Sequence, residues 1–159
     1  MTPEQLAVIK ADIAANSDMN TLPANSDGSY AIAELYNLPA SGTWIVWKTD
    51  VNTDQIMRNG MDWARVDNLS VGKARIWDWM TKLGSFDASK TNVRAGIDAA
   101  WVGTTADLAV RTQVYTHCKR QATRLEKLLS TGTGSDASPA TMGFEGPVSY
   151  QEIAVARMS

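Results

Sequence analysis

Apolar residues in this chain recur at spacings of three and four within short stretches. Most stretches are bracketed by a capping residue and a glycine or proline. That pattern limits the fold to short amphipathic helices packed on one another. Thr2-Pro3-Glu4-Gln5 combines an N-cap, a proline suited to the first helical position and the glutamine of a capping box. Leu6, Ile9 and Ile13 continue from it as one stripe, and the helix is expected to end near Asn16. Residues 17–28 are rich in turn formers and read as a loop. Ser29 to Asn37 reads as a short helix stopped by Pro39. Trp44-Ile45-Val46-Trp47-Lys48 is the one strong extended signal of the first half. Thr53 reads as the N-cap of a short helix closed by Gly60.

The stretch Asn68 to Leu83 predicts a helix ended by Gly84, with Ile76, Met80 and Leu83 as its core stripe and Trp79 beside it. Trp77 lies about 100° from Ile76 on the side of Ala74 and Thr81, so it is expected off the core, where a partner docks. Asn92 caps a helix to Val102. Thr104 or Thr105 then opens the longest helix, reaching Leu129 on the stripe Val110, Val114, Cys118, Ala122, Leu125 and Leu129. That is about six turns, roughly 36 Å. Beyond it, residues 130–141 are small, polar and glycine-rich and read as a linker. Residues 142–149 read as extended, and Ser149-Tyr150-Gln151-Glu152 is a capping box opening a terminal helix.

The expected architecture is therefore mainly α. It is a small helical bundle over 1–129 with a short extended segment, followed by a C-terminal arm over 130–159 made of a strand and a mini-helix. Phe144, Val148, Tyr150 and Ile153 give that arm an apolar side. It can be buried on the chain's own body or on a neighbour, and an intermolecular role is expected.

Composition narrows the chemistry. The 159 residues carry 15 basic and 17 acidic side chains, net −2, which excludes a globally basic nucleic-acid binder. One Cys and one His provide neither a disulfide framework nor a structural zinc site. No apolar run is long enough to cross a membrane, and the N-terminus does not read as a signal peptide. Val71-Gly72-Lys73-Ala74 lacks the earlier glycine and the hydroxyl residue of a phosphate loop. His117 and Cys118, adjacent on a helix, point about 100° apart and do not form a nucleophile–base pair. The carboxylate pairs Asp12/Asp18, Asp50/Asp54 and Glu145/Glu152 fit caps and turns. No catalytic residue, cofactor or metal is expected. Arg111, Lys119, Arg120, Arg124 and Lys127 form a basic face on the last long helix, for nucleic-acid phosphates or an acidic partner.

Three blocks carry a family resemblance. They are Asp62-Trp63-Ala64-Arg65-Val66-Asp67-Asn68-Leu69-Ser70-Val71-Gly72-Lys73-Ala74-Arg75-Ile76-Trp77, then Asn92-Val93-Arg94-Ala95-Gly96-Ile97-Asp98, and Thr131-Gly132-Thr133-Gly134-Ser135-Asp136 running on to Phe144-Glu145-Gly146-Pro147-Val148-Ser149-Tyr150. With them the sequence resembles small virion-assembly proteins of tailed bacteriophages, best the head–tail connector class. The resemblance implies a structural adaptor in the virion neck, assembled in the host cytoplasm as a homo-oligomeric, dodecameric ring. Its partners would be the portal protein and adjacent neck or tail proteins, with DNA passing through the lumen without sequence-specific binding. It implies no membrane partner and no reaction. A head-decoration or tail-completion role, or a DNA-binding module using the Arg111–Lys127 face, are the other readings of the same features.

Overall fold

A computed structural model describes all 159 residues, Met1–Ser159. The protein is mainly α, with ten helices and only two-stranded sheets. The chain forms two compact units. Residues 1–46 and 121–159 make the first, and residues 47–120 make the second.

The first unit begins with α1 (Pro3–Ala15), α2 (Ser17–Asn20) and α3 (Ser26–Asn37). The Thr2 hydroxyl accepts from Gln5 N and the Gln5 side chain accepts from Thr2 N, so the expected capping box forms. The expected loop over 17–28 is shorter than read. Its residues include α2 and the first turn of α3, which Asn25 caps through Gly28 N. The strand β1 (Ile45–Trp47) carries the chain out of this unit.

The second unit holds β2 (Val51–Asn52), α4 (Thr53–Arg58), α5 (Trp63–Asp67), α6 (Val71–Lys82), β3 (Ser85–Phe86), α7 (Thr91–Ala100) and α8 (Thr105–His117). Asn52, not Thr53, caps α4, and α7 starts after Lys90 rather than at Asn92. Strands β2 and β3 pair antiparallel, Val51 opposite Phe86. Val51, Ile56, Ile97, Val114 and Cys118 are buried around two tryptophans, Trp77 and Trp101. Their rings meet edge to face, 5.2 Å between centroids at 78°.

The long helix expected from 104 to 129 is broken. α8 ends at His117 and Cys118 caps it. β4 (Lys119–Gln121) returns the chain to the first unit, and α9 (Arg124–Leu128) follows. The backbone between the helices bonds elsewhere. In the second unit Lys48 N donates to Cys118 O at 2.9 Å. In the first, Ala122 N donates to Trp44 O at 2.9 Å. Thr123 and Glu126 then form a new capping box, so the apolar stripe crosses two helices and a strand.

The division into a body over 1–129 and an arm over 130–159 does not describe the molecule, because residues 121–159 complete the first unit. β5 (Ser130–Thr131) pairs antiparallel with β6 (Thr141–Met142), folding the expected linker into a ribbon. Gly134, at φ +64°, packs against the Trp44 ring so closely that a Cβ would lie 2.4 Å from it. Asn37 fixes Val148 by two bonds, Val148 N to Asn37 Oδ1 at 2.8 Å and Asn37 Nδ2 to Val148 O at 3.0 Å. Gly146 N donates to the buried Glu126 carboxylate at 3.1 Å. The helix α10 (Tyr150–Met158), opened by the expected Ser149–Glu152 box, packs on α3 and α1. It buries Ile153 completely in a core with Ile9, Met19, Ile32, Tyr36 and Leu125. A side chain of that size is worth about 1.5–3 kcal/mol when buried. The first unit is thus built from both ends of the chain.

Candidate functional site

The helix α6 carries both a buried and an exposed apolar side. Its inward face is centred on Trp77, 1% exposed, flanked by Lys73, Ala74, Met80 and Thr81. The expectation that Trp77 points outward is therefore overturned. Ala74 and Thr81 are small enough to let the indole reach Trp101. The Thr81 hydroxyl is satisfied within its own helix, donating to Trp77 O at 3.0 Å, so a polar residue sits on the core side at little cost. Both indole Nε1 groups of this buried pair lack a hydrogen-bond partner.

Of the expected core stripe, Met80 packs half-buried against the core, whereas Ile76 and Leu83, with Trp79 beside them, face solvent. Trp79 is 77% exposed, Leu83 76% and Ile76 37%. These residues share one side of the helix with Gly72, and Arg75 and Lys82 form its edge. Beside the stripe, Ile76, Trp79, Met80, Val93 and Gly96 line a shallow groove of about 450 Å³. Gly96 on α7 brings the two helices close, since a Cβ there would sit 3.4 Å from Met80 Sδ. The groove walls are apolar apart from Arg75 and Asn92.

The C-terminal anchors are placed differently from the expectation. Val148 and Ile153 are buried inside the first unit and Phe144 packs half-buried on the same core. Tyr150, 42% exposed, alone of the four presents a substantial free surface.

The five basic residues do not share one helix. Arg111 is on α8, Lys119 and Arg120 on β4, and Arg124 and Lys127 on α9. In the second unit, Arg111 pairs with Asp98 at 3.5 Å and the Lys119 ammonium lies 5.9 Å from the Trp47 ring. In the first unit, Arg124 pairs with Asp18 at 2.6 Å and lies over the Tyr36 ring. That hydrogen bond holds the Asp18 carboxyl below its ordinary range. Lys127 donates to Ser41 O at 3.2 Å and lies 5.0 Å from the Trp44 ring. Four of these cations therefore have contacts within their own unit, and the five lie on three elements rather than on one helix.

A cleft of about 560 Å³ in the first unit is lined by Asp12, Asp18, Leu35, Leu38, Arg124 and Lys127. Its charges are largely engaged within the unit. Besides the Asp18–Arg124 pair, Asp12 accepts from the Tyr36 hydroxyl at 2.8 Å and from Asn16 Nδ2 at 2.9 Å. Burial and the Asp12 carboxylate raise the Tyr36 phenol above its ordinary value.

Cys118 is fully buried, and burial pushes its thiol up to about 12, the opposite of what a nucleophile requires. No group of three or more His, Cys, Asp or Glu side chains is arranged to hold a metal ion. No helix is long and apolar enough to cross a membrane. Compared with family models, with curated proteins and with solved structures, the chain matches none of them.

Proposed function

We propose that this chain is a self-associating structural subunit of a tailed-phage neck. In this reading it forms an adaptor ring between portal and tail and works by assembly, with no bond made or broken. The observation that carries the reading is the exposed stripe of α6, where Ile76, Trp79 and Leu83 stand in solvent. Large exposed apolar groups on one helix face are costly to leave uncovered and mark an interaction surface. The mainly α fold agrees with the class to which the sequence blocks point. Repetition of one modest contact around a closed ring would give stable assembly, because each later contact is effectively intramolecular.

The portal contact assigned to the C-terminal segment moves to its solvent side. Val148 and Ile153 hold the first unit together, so Tyr150 with Val155 and Met158, 48% and 79% exposed, are the groups available there. The test is density for this chain in the intact particle. The reading requires it as a ring between portal and tail. Density on the capsid surface or within the tail tube would replace the adaptor by another virion role, and absence from particles would end the structural reading.

A further inference from the structure

The two units differ in charge as well as in core. The first unit carries four basic and nine acidic side chains, net −5, and the second carries eleven basic and eight acidic, net +3. Each exposes a helix face that matches this sign. On α3, Asp27, Tyr30 and Glu34 fall within one side by helical periodicity, Leu38 follows as the C-cap, and all four are exposed. Tyr30 is 59% exposed and Leu38 55%. On α6 the corresponding side carries Arg75 and Lys82 along the stripe of Ile76, Trp79 and Leu83. Asp27 and Glu34 are seven residues apart, as are Arg75 and Lys82, so both pairs span about 10.5 Å of helix. None of these four charges makes an ion pair within its own chain.

We infer that the α6 face of one copy docks on the α3 face of a second copy, head to tail. The α6 stripe covers Tyr30 and Leu38, and Arg75 and Lys82 meet Asp27 and Glu34 at matched spacing. The two faces are different surfaces, so the contact is heterologous. Each end copy keeps one of its two faces unoccupied, so the series either closes as a ring or extends as a filament. A self-complementary α6–α6 dimer would instead set the α6 cations of the two copies against each other with only Asp78 to offset them. The contact is small. A twelve-residue helix is about 18 Å long, and stable isolated pairs bury about 800 Å² on each partner. The association is accordingly weak for two copies and sensitive to salt, since exposed charges of opposite sign are paired across it.

This inference deepens the reading of the chain as a self-associating subunit, and its test uses no other virion protein. The purified full chain is followed by sedimentation from micromolar to millimolar concentration at low and high salt. The wild type is expected to associate at low salt and to dissociate as salt rises. Two charge-reversed variants, Arg75→Glu with Lys82→Glu and Asp27→Lys with Glu34→Lys, are each expected to weaken association at least about tenfold. Both keep the fold, because every substituted side chain is exposed. Mixed one to one, they restore association, since each reversed face then meets a complementary one on the other variant. A wild type that stays monomeric at millimolar concentration overturns the interface, as do variants that associate like wild type or a mixture that fails to restore it. A particle ring built through other surfaces would leave the neck reading standing while this interface fell.

Discussion

The two units solve the same problem with different materials. The first seals an aliphatic core with a helix from the far end of the chain, so α10 covers α1 and α3 and Ile153 is fully buried. The second is one continuous stretch whose core turns on the Trp77–Trp101 pair. It buries one tryptophan of α6 and exposes another two residues away. Tryptophan identity therefore says nothing about burial here, whereas helical phase decides it: positions two apart on a helix point to nearly opposite sides.

That contrast can be broken most directly at the tryptophans. Trp77→Ala should destabilise the second unit by about 3–5 kcal/mol, the range for truncating a buried aromatic. Trp79→Ala should change stability by no more than about 0.5 kcal/mol. Denaturant unfolding of the two variants checks both, and equal effects would show that the helix phase is wrong. A smaller effect is expected in the other unit. Ile153→Ala should cost about 2–4 kcal/mol, read as a loss of stability confined to the first unit by hydrogen exchange. Little loss there would mean that the terminal helix is dispensable and that an arm free to reach a partner is the better description.

The smallest effect concerns acid. Asp107 on α8 accepts from Arg65 at 2.6 Å and from Thr104 N, and the hydrogen bond from the Arg65 guanidinium holds its carboxyl at about 2. In an unfolded chain the same group titrates near 3.9. The folded value is the lower one, so the stabilisation is complete above about pH 4 and is lost as pH falls toward 2. Asp107→Asn should remove that pH dependence from the second unit, leaving a flatter stability profile between pH 4 and 2. Thermal melts across the window measure it.

Much of the local structure was legible in the residues. The capping boxes at Thr2 and Ser149 form as read, Pro39 follows the end of α3, and the mainly α character holds. The break in the supposed long helix was also encoded, in the Thr123–Glu126 box, but an uninterrupted apolar spacing masked it. The candidate site was less legible. Ile76, Met80 and Leu83 are as well spaced for a core as the face that is buried, and periodicity alone does not choose between two apolar sides of one helix. The signal that could have found the site was the small pair Ala74 and Thr81 around Trp77, which permits close packing. The acidic stripe of α3 lay partly in a stretch read as loop, and the basic cluster looked continuous only while it was placed on one helix.

By itself, then, the sequence determined the mainly α character, the capping boxes at Thr2 and Ser149, and that the chain carries one cysteine and one histidine. These follow from neighbours along the chain, whose hydrogen bonds and backbone preferences are local. Only the tertiary structure decided that residues 121–159 complete the first unit and that Trp79 rather than Trp77 meets solvent. Burial is a property of what lies opposite. Trp101 and the α7 residues that fix the face of α6 are distant in sequence, and their approach is set by packing rather than by any local preference.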